Sequence, residues 1–439
     1  MSAPRQHGVR NSQSGADALE RPAQRYRHSV GNAVEFALRG RMSVAQLKPL
    51  PEAPLRVALF TGNYNYVMDG PVRALNMLVG RLLERGHQAL VFAPTTPTPA
   101  FTHAGELVSA PSVPLPGSRR EYRFSLGMGA AARRRLLQFA PTIIHVAAPD
   151  LLGRSALRWA AAHDLPAVAS FHTRFDTYPR YYGLGWLEPQ VTAYMRRFYA
   201  RCARVYAPSQ SMADELAADG IGHDIRLWAR GVDKTTFNPA RRDIVWRRAQ
   251  GFADNAVVVA FVGRLVKEKG IDLFAECYAR AKAAAPGLRA VIVGDGPERA
   301  RFQALAPDAV FTGYLQGEAL GRAYASADIF VNPSITETFG NVTLEAMACG
   351  LPSVCAAASG SRSLIAHEET GLLVTPQSGA TGFADAIARL AARAGERAKF
   401  GEAARRMADA FDWNAILDGL ISDYRAVIRE AADKKPYQE

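Results

Sequence analysis

Two carboxylates, Glu337 and Glu345, bracket the stretch Thr338-Phe339-Gly340-Asn341-Val342-Thr343-Leu344. Gly340-Asn341 reads as a turn, and Glu345 falls just inside a helix continuing through Ala346-Met347-Ala348-Cys349-Gly350. The start of a helix carries unpaired N–H groups and the positive end of the backbone dipole, so it attracts an anion such as a diphosphate. Carboxylates beside that anion are poor phosphate ligands, but they accept hydrogen bonds from sugar hydroxyls. A phosphate site with hydroxyl-binding groups at both ends describes a nucleotide sugar.

A second segment, Gly263-Arg264-Leu265-Val266-Lys267-Glu268-Lys269-Gly270, follows directly from the apolar run at 256–262. In open α/β sheets ligands lie beyond the carboxyl ends of the strands. Arg264 and Lys269 reach one point from the two ends of this loop, where their charge would offset that of a departing diphosphate. By itself the loop is equally a solvated basic turn; its place at a strand end, in company with the 337–345 segment, points to chemistry. His172 ends another apolar run in Phe171-His172-Thr173. Alone, such a histidine is more often packed or capping than catalytic.

The elements that must position these groups show in the alternation of apolar strands and amphipathic helices. A buried strand at 55–60 precedes a Gly/Asn loop and a helix over about 71–85 that closes at Gly86, then a strand at 88–93. Further strands are expected at 143–146, 167–171, 204–207 and 225–227. The pattern restarts at 256–262, with a helix at 271–284 and a strand at 290–293 ending in Gly294-Asp295-Gly296-Pro297. Strands at 310–312, 329–332 and 353–356 follow. This alternation predicts two α/β units with parallel sheets, meeting where Phe237-Asn238-Pro239 breaks the pattern. The expected organisation is a disordered basic tail over 1–53 with a short helix near 30–38, a first unit over 54–240 and a second over 241–410. A last helix within 411–430, at 413–428, should pack back across the junction.

A length of 439 residues exceeds one typical domain, and 48% hydrophobic content suffices for two cores. No apolar run approaches the ~18 residues that span a bilayer. The first residues are polar and lack the apolar core of a signal peptide. Cys202, Cys277, Cys349 and Cys355 have neither metal-ligand nor disulfide-framework spacing, which points to a reduced, cytoplasmic setting. The net charge of +12 falls entirely within residues 1–240, which hold 29 Lys and Arg against 17 Asp and Glu, while residues 241–439 balance at 24 each. That asymmetry suggests an anionic partner for the first unit, such as phospholipid, an acidic acceptor or nucleic acid. A solvated arginine-rich surface explains it equally well.

Gly263-Arg264…Lys269-Gly270, Gly294-Asp295-Gly296-Pro297, and Ser334-x-x-Glu337-x-Phe339-Gly340-x4-Glu345-Ala346-Met347-Ala348-x-Gly350-x-Pro352 together resemble the retaining GT-B glycosyltransferases of family 4, over most of residues 55–430. The resemblance implies two Rossmann-like domains facing a cleft, with the nucleotide sugar held mainly by the second. By position it puts Arg264 and Lys269 on the diphosphate and leaving group, Glu337 on hydroxyls of the transferred sugar and Glu345 on the ribose. Backbone groups of Phe339, Gly340, Asn341 and Val342 would line the sugar and phosphates, and Gly263 and Gly294 would border the nucleotide, with the base near 294–298 and 312–316. Gly70 matches the glycine that starts the first helix, although this chain has Asp69-Gly70-Pro71 where Gly-Gly is commoner. His172 matches the family's active-site histidine, implied to position donor sugar and acceptor. The family's retention is explained by front-face attack, in which the donor phosphate takes the acceptor proton, and no covalent nucleophile is evident here. The chain contains no Asp-x-Asp. Arg264 and Lys269 supply positive charge instead, so no metal and no cofactor beyond the donor are expected.

For the acceptor, segments 171–178, 185–187 and 226–233 are similar to lipid-glycosylating enzymes, namely sulfoquinovosyl-diacylglycerol synthases and related α-mannosyltransferases. In a helix expected around 191–205, Val191, Tyr194, Met195, Phe198 and Cys202 form an apolar stripe suited to packing on the sheet. Arg197, Arg201 and Arg204 form a second stripe that would face anionic headgroups, extended by Arg119, Arg120, Arg123, Arg133, Arg134 and Arg135. Ser209 and Ser211, with Asp214, read as a capping pattern, and Cys349 and Cys355 as core. The expected function is transfer of a hexose from a UDP- or GDP-sugar to a lipid or lipid-linked acceptor, by a protein peripheral to the cytoplasmic membrane face. Two alternatives stay open: a soluble glycan or small-metabolite acceptor, and a catalytically silent nucleotide-sugar or polyanion binder. The set His172, Arg264, Lys269, Glu337 and Glu345 argues against the silent binder, and no nucleic-acid-binding module is visible.

Overall fold

The computed structural model describes residues 53–115, 121–175 and 183–434. Its first nine strands are β1 Arg56–Phe60, β2 Gln88–Ala93, β3 Glu106–Ser109, β4 Ser112–Pro114, β5 Arg123–Ser125, β6 Ile143–Val146, β7 Ala167–Ser170, β8 Arg204–Ala207 and β9 Ile225–Leu227. Seven of these form a parallel sheet in the order β3-β2-β1-β6-β7-β8-β9, and β4 and β5 pair as an antiparallel ribbon. Six further strands follow: β10 Val257–Val262, β11 Leu288–Val293, β12 Val310–Gly313, β13 Ile329–Asn332, β14 Ser353–Ala356 and β15 Gly371–Val374. They form a second parallel sheet in the order β12-β11-β10-β13-β14-β15. The chain thus has the two parallel α/β sheets expected of it.

The central strands are buried and mostly apolar, with His145, Ser170 and Asn332 as polar exceptions, because each sheet is covered on both faces. Val57 and Leu59 enter one core while Ala58 and Phe60 enter another; Val259 and Phe261 likewise part from Val258 and Ala260. The period-two alternation of strand side chains sorts them. Strand order reverses between β1 and β6 in the first sheet and between β10 and β13 in the second. Such reversals open a crevice at the carboxyl ends of the strands. The loop leaving β1 leads into helix Gly70–Glu84, and the loop leaving β10 carries Arg264 and Lys269 into helix Ile271–Ala284.

Helix Trp413–Asp433 follows the second sheet in sequence but packs on the first, five residues longer than the expected 413–428. Trp413, Leu417, Leu420, Ile421, Tyr424 and Val427 share a core with Val57, Leu59 and the apolar side of helix Gly70–Glu84. Asp418 takes a fork of hydrogen bonds from Arg81 at 2.8 and 2.7 Å. The helix expected around 191–205 is two elements, helix Glu188–Tyr199 and strand β8. Arg204 therefore leaves the basic stripe: it is only 4% exposed, bonded to Asp224 at 2.8 Å and to Asp423 and Glu430 of the last helix. Arg135 is paired with Glu106, and Arg123 bonds Ser112, whereas Arg133, Arg134, Arg197 and Arg201 are exposed. The tail over 1–52, its short helix near 30–38, and Arg119 and Arg120 lie outside the described residues. No described helix is long and apolar enough to cross a membrane.

Candidate active site

The loop after β10 is built around close backbone approach. Gly263 N–H donates to the Val293 carbonyl at 3.0 Å and Leu265 N–H to the Asp295 carbonyl at 2.9 Å. A Cβ on Gly294 would stand 1.9 Å from the Gly263 carbonyl oxygen, so only glycine lets the two loops touch. The turn Lys267–Lys269 is tied to the next loop, because the Ser334 and Thr336 hydroxyls donate to the Glu268 carbonyl at 3.2 and 3.3 Å. This brings Lys269 Nζ to 2.6 Å from Glu337 Oε1. Arg264, at the other end of the loop, pairs across the cleft with Glu121, and its guanidinium lies 5.9 Å from the Tyr122 ring centre.

Two helix starts meet here. Helix Asn341–Ala348 begins at Gly340, whose φ of 97° suits glycine, and no side chain caps it. Opposite, helix Gly70–Glu84 begins at Asp69, whose carboxylate accepts from Val72 N–H at 2.9 Å. A Cβ on Gly70 would lie 2.7 Å from Asn341 Nδ2, so the two starts are in near contact across the cleft. Asn341 Oδ1 is buried without a hydrogen-bond partner among the described residues. The uncapped start of helix Asn341–Ala348 thus lies between Glu337, which carries Lys269, and Glu345, with the start of helix Gly70–Glu84 opposite and Arg264 held at Glu121, an arrangement suited to a diphosphate between hydroxyl acceptors. Phe339 is buried and packs edge-on to Phe411 at 6.0 Å, leaving its backbone to the loop. Val342 lies in the first turn of the uncapped helix.

His172 lies across the cleft, held from both sides. Arg230 Nη2 contacts its Nδ1 at 2.8 Å, and Ser170 Oγ contacts its Nε2 at 2.8 Å. Arginine only donates, so Nδ1 accepts and Nε2 carries the proton. Ser170 Oγ then accepts from His172 and donates to His145 Nε2 at 2.8 Å, and His145 Nδ1–H donates to the Tyr424 hydroxyl. Burial lowers His172 well below the ordinary histidine value, reinforced by Arg230, and brings His145 to about 3, so both rings are neutral. The resemblance implies that His172 positions donor sugar and acceptor. Here both ring nitrogens are used inside the first sheet's domain, and His172 meets the cleft through its carbonyl oxygen, which accepts from Thr338 Oγ1 at 3.0 Å. Direct ring contact with substrate therefore needs Ser170 or Arg230 exchanged for a substrate hydroxyl.

A profile described as "Glycosyltransferase Family 4" matches residues 68–236, and one described as "Glycosyl transferases group 1" matches residues 256–393. The GDP-mannose-dependent alpha-mannosyltransferase of Mycolicibacterium smegmatis is 36% identical over 377 residues, covering 85% of this chain and 98% of that protein. The chain is a family 4 glycosyltransferase. The sulfoquinovosyl transferase of Arabidopsis thaliana is 31% identical over 390 residues, 85% of this chain and 74% of that protein. Among solved structures, sucrose-phosphate synthase from Thermosynechococcus elongatus superposes with a TM-score of 0.72 at 23% identity, over 85% of this chain and 99% of that one. Anabaena HepE, in complex with UDP and glucose, superposes at 0.65 and 22%, over 84% and 99%. These establish the GT-B fold.

The glycosyltransferase site includes side chains that sequence reasoning missed. Arg73 Nη1 meets Glu345 Oε1 at 2.9 Å, and the Tyr324 hydroxyl donates to Glu345 Oε2 at 3.1 Å. Arg73 left one trace in sequence: a cation in the first turn of a helix faces the positive end of the dipole and calls for a local reason. Ser170, His145 and Tyr424 left none, since 25 and 279 residues separate the partners in their two contacts. Ser211, read as part of a cap, is not one. Ser209 caps helix Gln210–Ala218, while Ser211 N–H donates to Ser363 Oγ at 3.1 Å on the second domain.

Proposed function

We propose that this glycosyltransferase moves mannose from GDP-mannose, with retention and without a metal ion, to a lipid or lipid-linked acceptor at an anionic cytoplasmic membrane surface. The observation that carries the donor half is the meeting of two helix starts at Gly70 and Asn341, between Glu337 with its Lys269 and Glu345, with Arg264 on the same loop as Lys269. In the reaction the bond from the sugar anomeric carbon to the diphosphate oxygen breaks. The acceptor oxygen bonds that carbon from the same face, and its proton passes to the departing phosphate. Arg264 and Lys269 would offset the charge that develops on the diphosphate, which is the task a metal performs elsewhere. The choice of GDP-mannose draws on the relatives of that name.

The acceptor half draws on the first domain's surface. Trp186 is 68% exposed, Leu184 and Phe175 are exposed too, and helix Glu188–Tyr199 follows Trp186 with Arg197 in its last turn. Aromatic side chains next to arginine suit an anionic interface. The test is transfer from GDP-mannose, UDP-glucose and UDP-sulfoquinovose to extracted lipids and to water-soluble glycans, with and without EDTA, and with the anomeric configuration of the product read by NMR. Turnover with GDP-mannose alone, unaffected by EDTA and giving the α-anomer, is expected. A β-linked product, EDTA inhibition, or transfer only to water-soluble acceptors would each remove the corresponding part of the proposal.

A further inference from the structure

Glu345 is 8% exposed, and both its oxygens are engaged. Tyr324, from the same domain, bonds Oε2; Arg73, from the first turn of helix Gly70–Glu84 on the other domain, bonds Oε1. Burial raises Glu345 above the usual carboxylate range, and Arg73 is the largest influence opposing that rise. Without its cation this carboxylate would tend to take up a proton, losing acceptor capacity and turning toward whatever group would accept that proton. An ionised carboxylate accepts about four hydrogen bonds, so the two already made leave room for two neighbouring hydroxyls. Arg73 is itself in an unfavourable place, at the positive end of its helix, and Glu345, with Asp233 nearby, compensates it.

We infer that Arg73 is a positioning residue: reaching across the cleft, it holds the Glu345 carboxylate in the orientation that accepts the ribose hydroxyls of the nucleoside diphosphate. The ribose subsite, carried on the second domain, is then complete only when the first domain contributes its arginine. This inference rests on the nucleotide-sugar reading above.

The test separates action through Glu345 from direct contact with phosphate. The full chain, Arg73→Ala and Arg73→Lys are titrated by calorimetry with GDP and with 2′,3′-dideoxy-GDP; UDP and ADP are run on the parent chain. Arg73→Ala should weaken GDP roughly tenfold, the loss expected for a disrupted charged hydrogen bond. It should leave dideoxy-GDP, which has no ribose hydroxyls for Glu345, nearly unchanged. Arg73→Lys should recover part of the GDP affinity. Equal weakening of both probes, or of neither, overturns the inference while the nucleotide reading stands. A parent chain that binds none of GDP, UDP and ADP overturns that reading, and the inference with it.

Discussion

At the scale of single residues, the candidate site is a set of charges that already satisfy one another. Lys269 pairs with Glu337, Arg264 with Glu121 and Arg73 with Glu345. A dianionic leaving group can draw on these cations only if the carboxylates have other donors to accept from, and sugar hydroxyls are such donors. Glu337→Gln keeps the side chain's size but removes its charge. Steady-state kinetics should show kcat lowered on the order of a hundredfold, with GDP affinity kept. A normal kcat would mean Glu337 serves only to orient Lys269. The 337–345 segment and the Arg-x4-Lys loop were legible because their groups are close in sequence and sit at strand or helix ends. Arg230 stood in a segment singled out for its resemblance, yet its bond to His172 joins residues 58 apart and could not be read.

At the scale of elements, the strands were readable because a parallel sheet buried on both faces needs continuous apolar runs. Helix ends were less so. The run through 191–205 has helical spacing on its apolar stripe, but the Arg204 side chain is claimed by Asp224, Asp423 and Glu430, and the chain there joins the sheet as β8. The last helix was visible as an amphipathic stretch, while its anchoring was not. Arg81 first, and then Arg85, hold Asp418 far below the usual carboxylate range. The sign follows: the folded value lies below the unfolded one, so the contribution is present above the unfolded value of about 3.9 and is lost as pH falls below it. Urea unfolding of the parent chain and Asp418→Asn should therefore differ at neutral pH and converge in acid. A difference that persists unchanged in acid would assign the effect to packing instead.

At the scale of the whole molecule, the two sheets are joined by more than the chain passing through Phe237-Asn238-Pro239. Ser209 Oγ donates to the Thr338 carbonyl at 2.8 Å, Ser211 meets Ser363, and helix Trp413–Asp433 returns from the second sheet to the first. The return helix also ends the chain Arg230–His172–Ser170–His145–Tyr424, which ties the cleft to the core beneath it. His145 and His172 are buried neutral, both lowered by burial, whereas the unfolded chain would protonate them below about 6.5. The unfolded state thus binds more protons, and their contribution is full above that value and declines as pH falls. Asp150, raised by burial to about 6, acts oppositely, its contribution fading as pH rises through that value. Asp69 and Glu345 are raised by burial in the same sense as Asp150, and His87 is lowered like the other two rings, so the histidine part is read by comparison: between about pH 7.5 and about pH 5 the urea midpoint of the parent chain should drop more than that of His145→Phe; an equal drop would show that His145 is charged in the native state. The sequence by itself determined the candidate donor segments: apolar runs set the sheets, and the residues proposed for the diphosphate and the hydroxyls lie in two short segments, 263–270 and 337–345. Only the tertiary structure decided which carboxylate meets which arginine, which tautomer His172 holds and where the last helix docks. Those depend on contacts between residues far apart in the chain, and local periodicity carries no record of them.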